Sequence, residues 1–150
     1  MRVALDTNIL VYALGLNDPD RRQKAEVLIA ALSPADLVIP AQALAELFRV
    51  LVRKGRWAPP KARGSILNWR AAYMVAPTLP STIDAALDLA VNHRLSMFDA
   101  IILHAAAQAN CRLLLSEDLQ PGFVWQGTVV VKAFAKEQHP LLMAALAGGL

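Results

Sequence analysis

Four acidic residues, Asp6, Glu46, Asp99 and Asp118, stand where carboxylates could do chemistry. Asp6 ends the apolar run Val3-Ala4-Leu5, and Asp118 follows Leu113-Leu114-Leu115-Ser116-Glu117. Asp99 opens an otherwise almost wholly apolar helix. Glu46 shares a helix with the apolar stripe Leu44, Leu47, Phe48 and Leu51. Converging carboxylates repel one another unless a cation stands among them. Hard divalent ions such as Mg²⁺ or Mn²⁺ prefer carboxylate and water oxygens. Such a site suits phosphodiester hydrolysis: the metal activates a water, orients the phosphate and stabilises developing negative charge.

Each acid also has a plainer role open to it. Asp6 fits a helix N-cap, Ser96-Met97-Phe98-Asp99 fits a capping box, and Asp118 fits the first turn of a short helix capped by Ser116. Glu46 and Arg49 fit an i,i+3 ion pair. Caps alone do not require Asp6 and Asp118 to fall at the carboxyl edge of one sheet. On a helical wheel Asp99 lies near Ile102, Leu103 and Ala106, a face that ought to be buried, where an unpaired carboxylate is costly. No rival constellation competes. His93, His104 and His139 make no i,i+4 metal-binding pair, and His104 reads as a helix-face residue. The paired glycines Gly148-Gly149 are terminal, so there is no glycine-rich phosphate loop after a strand.

The elements that must position these residues follow from periodicity and punctuation. Residues 2–5, 37–39, 74–76, 112–115 and 128–131 read as short buried strands. Residues 7–14, 20–32, 82–93 and 96–109 read as helices, as does a segment from Pro40 to about Lys54 that Gly55 stops. Asn17-Asp18-Pro19-Asp20 signals a turn, and Pro59-Pro60 starts a helix to about Ala72. Alternating strands and helices predict an α/β fold with a parallel sheet covered on both faces. In such sheets ligands bind beyond the carboxyl ends of the strands, where Asp6 and Asp118 fall.

Composition sets the frame. A chain of 150 residues is expected to be one domain, 1–150. Its apolar share of 56% exceeds the usual range of about 45–50%, which favours a well-buried, helix-rich core. No apolar stretch is long enough for a membrane span, and the N-terminus lacks a secretory pattern. A single cysteine, Cys111, excludes an internal disulfide, so a reducing, cytoplasmic location is expected. Between Leu47 and Ile83 there are seven basic residues and no acid: Arg49, Arg53, Lys54, Arg56, Lys61, Arg63 and Arg70. Trp57, Trp69 and Tyr73 are interleaved among them, a pattern that suits RNA binding and also fits a solvated helical surface. Residues 135–150 form a C-terminal tail, apolar after Pro140, that could pack on the core, fray or cover a partner.

Val3-Ala4-Leu5-Asp6-Thr7-Asn8-Ile9-Leu10, Ala45-Glu46-Leu47, Ser96-Met97-Phe98-Asp99-Ala100 and Leu115-Ser116-Glu117-Asp118-Leu119 together resemble the ordered signature of PIN-domain ribonucleases. The similarity is to the toxins of VapBC-type toxin–antitoxin systems, and it runs from Arg2 to about Phe134. It implies a three-layer α/β/α sandwich around a central parallel sheet, and Mg²⁺- or Mn²⁺-dependent endoribonuclease activity. By the same resemblance Asp6 and Asp99 match the principal metal ligands, and Glu46 and Asp118 match the other acids of a catalytic quartet. Asn8 and Ser116 match supporting polar residues, and Glu117 adds a nearby carboxylate to which the motif gives no catalytic role. A homodimer neutralised by a small antitoxin is implied as well. One departure is Lys132-Ala133-Phe134, where many members carry Asn-Pro-Phe.

The leading expectation is thus a metal-dependent endoribonuclease toxin whose RNA is held by Arg49, Arg53, Lys54 and Arg56. A non-catalytic RNA-binding or regulatory module of the same fold is the alternative. An aspartyl-phosphate enzyme using Asp6 is disfavoured, because position 8 holds Asn8 rather than a second aspartate.

Overall fold

The computed structural model describes residues 1–16 and 18–148, so Asn17 of the expected turn, Gly149 and Leu150 lie outside it. In chain order the elements are β1 (Val3–Leu5), α1 (Thr7–Ala13), α2 (Pro19–Ala31), β2 (Leu37–Pro40), α3 (Ala41–Arg53), α4 (Pro59–Ala72) and β3 (Met74–Ala76). They continue with α5 (Pro80–His93), α6 (Met97–Gln108), β4 (Leu113–Ser116), β5 (Val124–Trp125), β6 (Thr128–Lys132) and α7 (Pro140–Leu146).

One six-stranded sheet has the order β3-β2-β1-β4-β6-β5. The first five strands in that order pair in parallel. Every residue of β1, β2 and β4 is buried although side chains alternate between faces, so helices cover both sides of the sheet. The chain moves outward from β1 through β2 to β3, then crosses to β4 on the other side of β1. That reversal of strand order opens a crevice beyond the carboxyl ends of β1 and β4.

The sheet is not wholly parallel, in contrast to the expectation from the alternating elements. β5 pairs antiparallel with β6, Trp125 opposite Thr128. The turn between them is Gln126-Gly127, with φ of 46° and 88°, the left-handed pair that a tight two-residue hairpin needs. Two residues, Val124 and Trp125, are too short a strand to leave a periodic signal.

The helices follow their expected causes. Asp18 caps α2 by accepting from the N–H groups of Asp20 and Arg21, and Ala25 and Leu28 carry its buried face. Gly55 ends the α3 turn because a Cβ there would stand 2.8 Å from the Leu51 carbonyl and 2.9 Å from Leu16. In α6, Ala100 to Ala107 are all buried, so this helix is enclosed nearly all round. The segment after Pro140 forms α7, and Leu142 within it is fully buried in the core. Among the described residues no helix is long and apolar enough to cross a membrane.

Candidate active site

β1 and β4 build the centre of the site. Their register places Leu5 beside Leu115, and the ladder extends one step further as the Asp6 N–H donates to the Leu115 carbonyl at 3.0 Å. Asp6 therefore stands beside Ser116, whose hydroxyl donates to Asp6 Oδ2 at 2.7 Å. Asp6 also caps α1, its Oδ1 accepting from the Thr7 N–H at 2.7 Å. Capping α1 is therefore compatible with a place for Asp6 in the groove. Asp6 is only 4% exposed. Burial pushes its pKa from 3.8 up to about 7, against the lowering effect of the Ser116 and Thr7 hydrogen bonds, and the nearby charges of Asp99 and Glu46 add to the rise.

Glu46 is half-buried on α3 and held by the Thr7 hydroxyl, which donates to its Oε2 at 2.7 Å. Its pKa is raised by burial, with a further push from Asp99. Among the described residues Glu46 makes no ion pair with Arg49; the hydroxyl of Thr7 is its partner instead. Sequence reasoning misses Thr7, although its place between Asp6 and Asn8 is the available signal.

Asp99 sits in the first turn of α6, where its backbone N–H donates to the Ser96 hydroxyl at 3.2 Å. It escapes the burial expected of its face because it lies at the helix start, half-exposed, rather than among Ala100 to Ala107. Asp118 is exposed in the turn after β4. Ser116 accepts from the N–H groups of Asp118 and Leu119 at 3.2 and 3.1 Å, but no helix grows from this cap. Asn8 accepts from the Glu117 N–H at 3.3 Å and lies 3.4 Å from Asp6 Oδ2. The Glu117 carboxylate accepts from the Phe134 N–H at 3.3 Å, so it anchors the chain beyond β6.

Asp6, Glu46, Asp99 and Asp118 line one open groove of about 600 Å³. Arg49, Arg53 and Lys54 line the same groove. Arg56 does not; it follows Gly55 with a left-handed φ of 53° and is exposed elsewhere. The aromatic residues of the basic run do not reach the groove either. Trp57 stacks under Lys61 at 4.1 Å, and Trp69 packs on Tyr73 at 5.7 Å, all three rings against the core. His104 is buried and does not line the groove, its Nδ1 accepting from Trp125 Nε1 at 3.0 Å, and burial lowers its pKa. Cys111 is buried too, with its thiol pushed up to about 12, which makes it inert.

A family model described as the PIN domain matches residues 3–121. The chain belongs to the PIN-domain family. That assignment agrees with the topology and with the resemblance carried by the four acidic motifs. Among solved structures, this PIN domain is similar to Mycobacterium tuberculosis VapC20, a Sarcin-Ricin loop cleaving toxin. The identity is 18% and the TM-score 0.64, over 75% of this chain and 86% of that one. It is similar to a toxin–antitoxin complex from Klebsiella pneumoniae at 18% identity and a TM-score of 0.65, covering 88% and 98% of the two chains. For VapBC-1 of nontypeable Haemophilus influenzae the values are 21% and 0.58, with 79% and 87% covered. At such identities these likenesses report the fold. No curated protein matches the chain significantly.

The donor set suits a hard divalent cation. Among the described residues, no three His, Cys, Asp or Glu side chains close into a preformed metal cage. The four carboxylates instead line the wider groove. Burial first, and the charges of Asp99 and Glu46 after it, disfavour ionisation of Asp6, and a bound cation would offset both. All four side chains offer the oxygen ligands that Mg²⁺ or Mn²⁺ takes.

Proposed function

We propose that the chain is a divalent-metal-dependent endoribonuclease acting as the toxin of a toxin–antitoxin pair. The observation that carries this reading is the convergence of Asp6, Glu46, Asp99 and Asp118 in a groove walled by Arg49, Arg53 and Lys54. Acids alone would repel a polyanion; three adjoining cations give its backbone a place to bind. A bound Mg²⁺ or Mn²⁺ would supply charge neutralisation and activation of a water for attack on phosphorus. Asp6 and Asp99 are assigned as its principal ligands, with Asp118 and Glu46 completing the set.

The chain's own groups have distinct tasks. Ser116 and the Thr7 N–H fix both oxygens of Asp6, so that its carboxylate keeps one orientation. Thr7 does the same for Glu46 through its hydroxyl. Asn8 holds the turn after β4 through the Glu117 N–H and thereby sets where Asp118 stands. Arg49, Arg53 and Lys54 bind and orient the RNA backbone along the groove.

An antitoxin partner fits a second surface feature. Leu44, Phe48, Ile66 and Leu67 line an apolar hollow of about 530 Å³ between α3 and α4, and Phe48 and Leu67 remain 38% and 50% exposed. Apolar surface of that kind, adjoining the helix that carries Glu46, suits a partner segment that would also obstruct the groove. A homodimer completes the reading, and sedimentation equilibrium measures it directly.

The decisive experiment incubates purified protein with RNA and Mg²⁺ or Mn²⁺. Cleavage should appear with the metal, vanish in EDTA, and be lost in a folded Asp6→Asn variant. A variant that cuts at the wild-type rate overturns the assignment.

A further inference from the structure

Asp99 and Asp118 line a second cavity, of about 500 Å³, whose wall includes His93, Arg94 and Phe123. It shares no other residue with the acidic groove, so these two acids form the ridge between the two hollows. Its lining is mixed: Ser96 and Gln120 join Leu119 and the half-buried Phe123, which also packs on the core, while Leu103 and Val130 are fully buried. The exposed His93 ring stands edge-on to Phe123 and to Trp125, with centroids 5.2 and 6.2 Å apart. At its mouth Arg94 ends α5 in the left-handed conformation, φ 58°, and is exposed. Among the described residues Arg94 makes no ion pair.

A scissile phosphodiester has a nucleotide on each side. The basic wall of Arg49, Arg53 and Lys54 serves one side of the acids only. A strand that continues across the Asp99–Asp118 ridge enters the second cavity, where it meets a cation and an aromatic pair, the combination that holds unstacked single strands. We propose that this cavity binds the RNA nucleotide beyond the cleaved bond, with Arg94 on its phosphate and its base against Phe123 and His93. The inference rests on the ribonuclease reading above and adds a subsite to it.

The test is the binding of fluorescent decauridylate to the intact protein by anisotropy, in EDTA, across a salt series. Arg94→Asn keeps a residue that tolerates the left-handed backbone. Arg53→Ala reports the basic wall, and Arg112→Ala, exposed outside both cavities, is the control. Arg94→Asn and Arg53→Ala should each weaken binding several-fold. Each should lower the slope of log K against log salt by about 0.7, as expected for one lost phosphate contact on a single strand. Phe123→Leu should weaken binding about fivefold or more with the slope unchanged, because stacking carries no counterion release. Arg112→Ala should match the wild type. If Arg53→Ala weakens binding while Arg94→Asn and Phe123→Leu do not, the subsite is wrong and the ribonuclease reading stands. If the wild type binds neither decauridylate in EDTA nor an uncleavable 2′-O-methyl decauridylate in Mn²⁺, both fall.

Discussion

Asp6 should destabilise the metal-free fold, and replacing it by asparagine should make the protein more stable at neutral pH. Burial raises the Asp6 pKa from 3.8 to about 7, about three units, and each unit corresponds to about 1.4 kcal/mol. Holding this carboxylate ionised in the folded state therefore costs about 4 kcal/mol. The Asp6→Asn side chain would keep an acceptor for the Thr7 N–H but would turn an amide toward Ser116. Loss of the Ser116 hydroxyl's acceptor costs about 1 kcal/mol. A net gain of about 2–3 kcal/mol remains, or about 5–10 °C in Tm for a chain of this size.

The pH dependence fixes the cause. Between pH 3.8 and about 7 the folded protein holds a proton on Asp6 that the unfolded chain releases, so wild-type stability falls as pH rises through that window. The Asp6→Asn advantage should be absent near pH 4, open between pH 4 and 7, and stay constant above. Thermal unfolding followed by circular dichroism in EDTA, at four pH values, measures it. Added Mn²⁺ should then raise the wild-type Tm and leave the variant unmoved, since the ion stabilises only a fold that binds it. An advantage equal at pH 4.5 and 8, or a variant less stable at pH 8, refutes the reasoning.

Other outcomes come from named contacts. Thr7→Val should slow RNA cleavage at least about tenfold by freeing Glu46, an effect worth about 1.4 kcal/mol, and Thr7→Ser should restore it. Ser116→Ala removes the donor to Asp6 and the acceptor for two N–H groups; denaturant titration should show a loss of about 2–4 kcal/mol. Burial lowers the His104 pKa, so its contribution to stability is complete above the ordinary value of 6.5 and is lost as pH falls below it. A His104→Gln variant should therefore show a shallower decline in Tm between pH 6.5 and 5. Leu142→Ala should cost about 2–5 kcal/mol if α7 is part of the core, and an unchanged Tm would show that it is not.

The sequence is most readable where one residue serves a local rule and a distant one at once. Asp6 ends a strand and starts a helix, and both signals are written in its neighbours, so its place at the sheet edge is legible. Asp118 is legible for its strand but not for the turn it stands in, because Ser116 satisfies the same N–H groups with or without a helix. Glu46 looks like half of an ion pair because i,i+3 spacing is visible in sequence, whereas the Thr7 hydroxyl is 39 residues away. The basic run is half legible. Periodicity brings Arg49 and Arg53 to the side of Glu46, but the left-handed turn at Arg56 breaks the helical rule that would have carried it along. The aromatic rings mixed into that run resemble stacking platforms until tertiary packing shows what they cover. β5 leaves no trace because two residues cannot display a period.

The central hydrogen bond of the site joins Ser116 to Asp6 across 110 residues. At a synthesis rate of about 5–20 residues per second, β1 leaves the ribosome roughly 5–20 s before β4 exists to pair with it. Asp6 and Glu46 are made early, Asp99 and Asp118 late, and the two pairs meet only when that long loop closes. A nascent or truncated chain therefore carries half a groove. If the chain is the ribonuclease proposed above, this timing would keep the complete set of carboxylates away from the message that is still being translated.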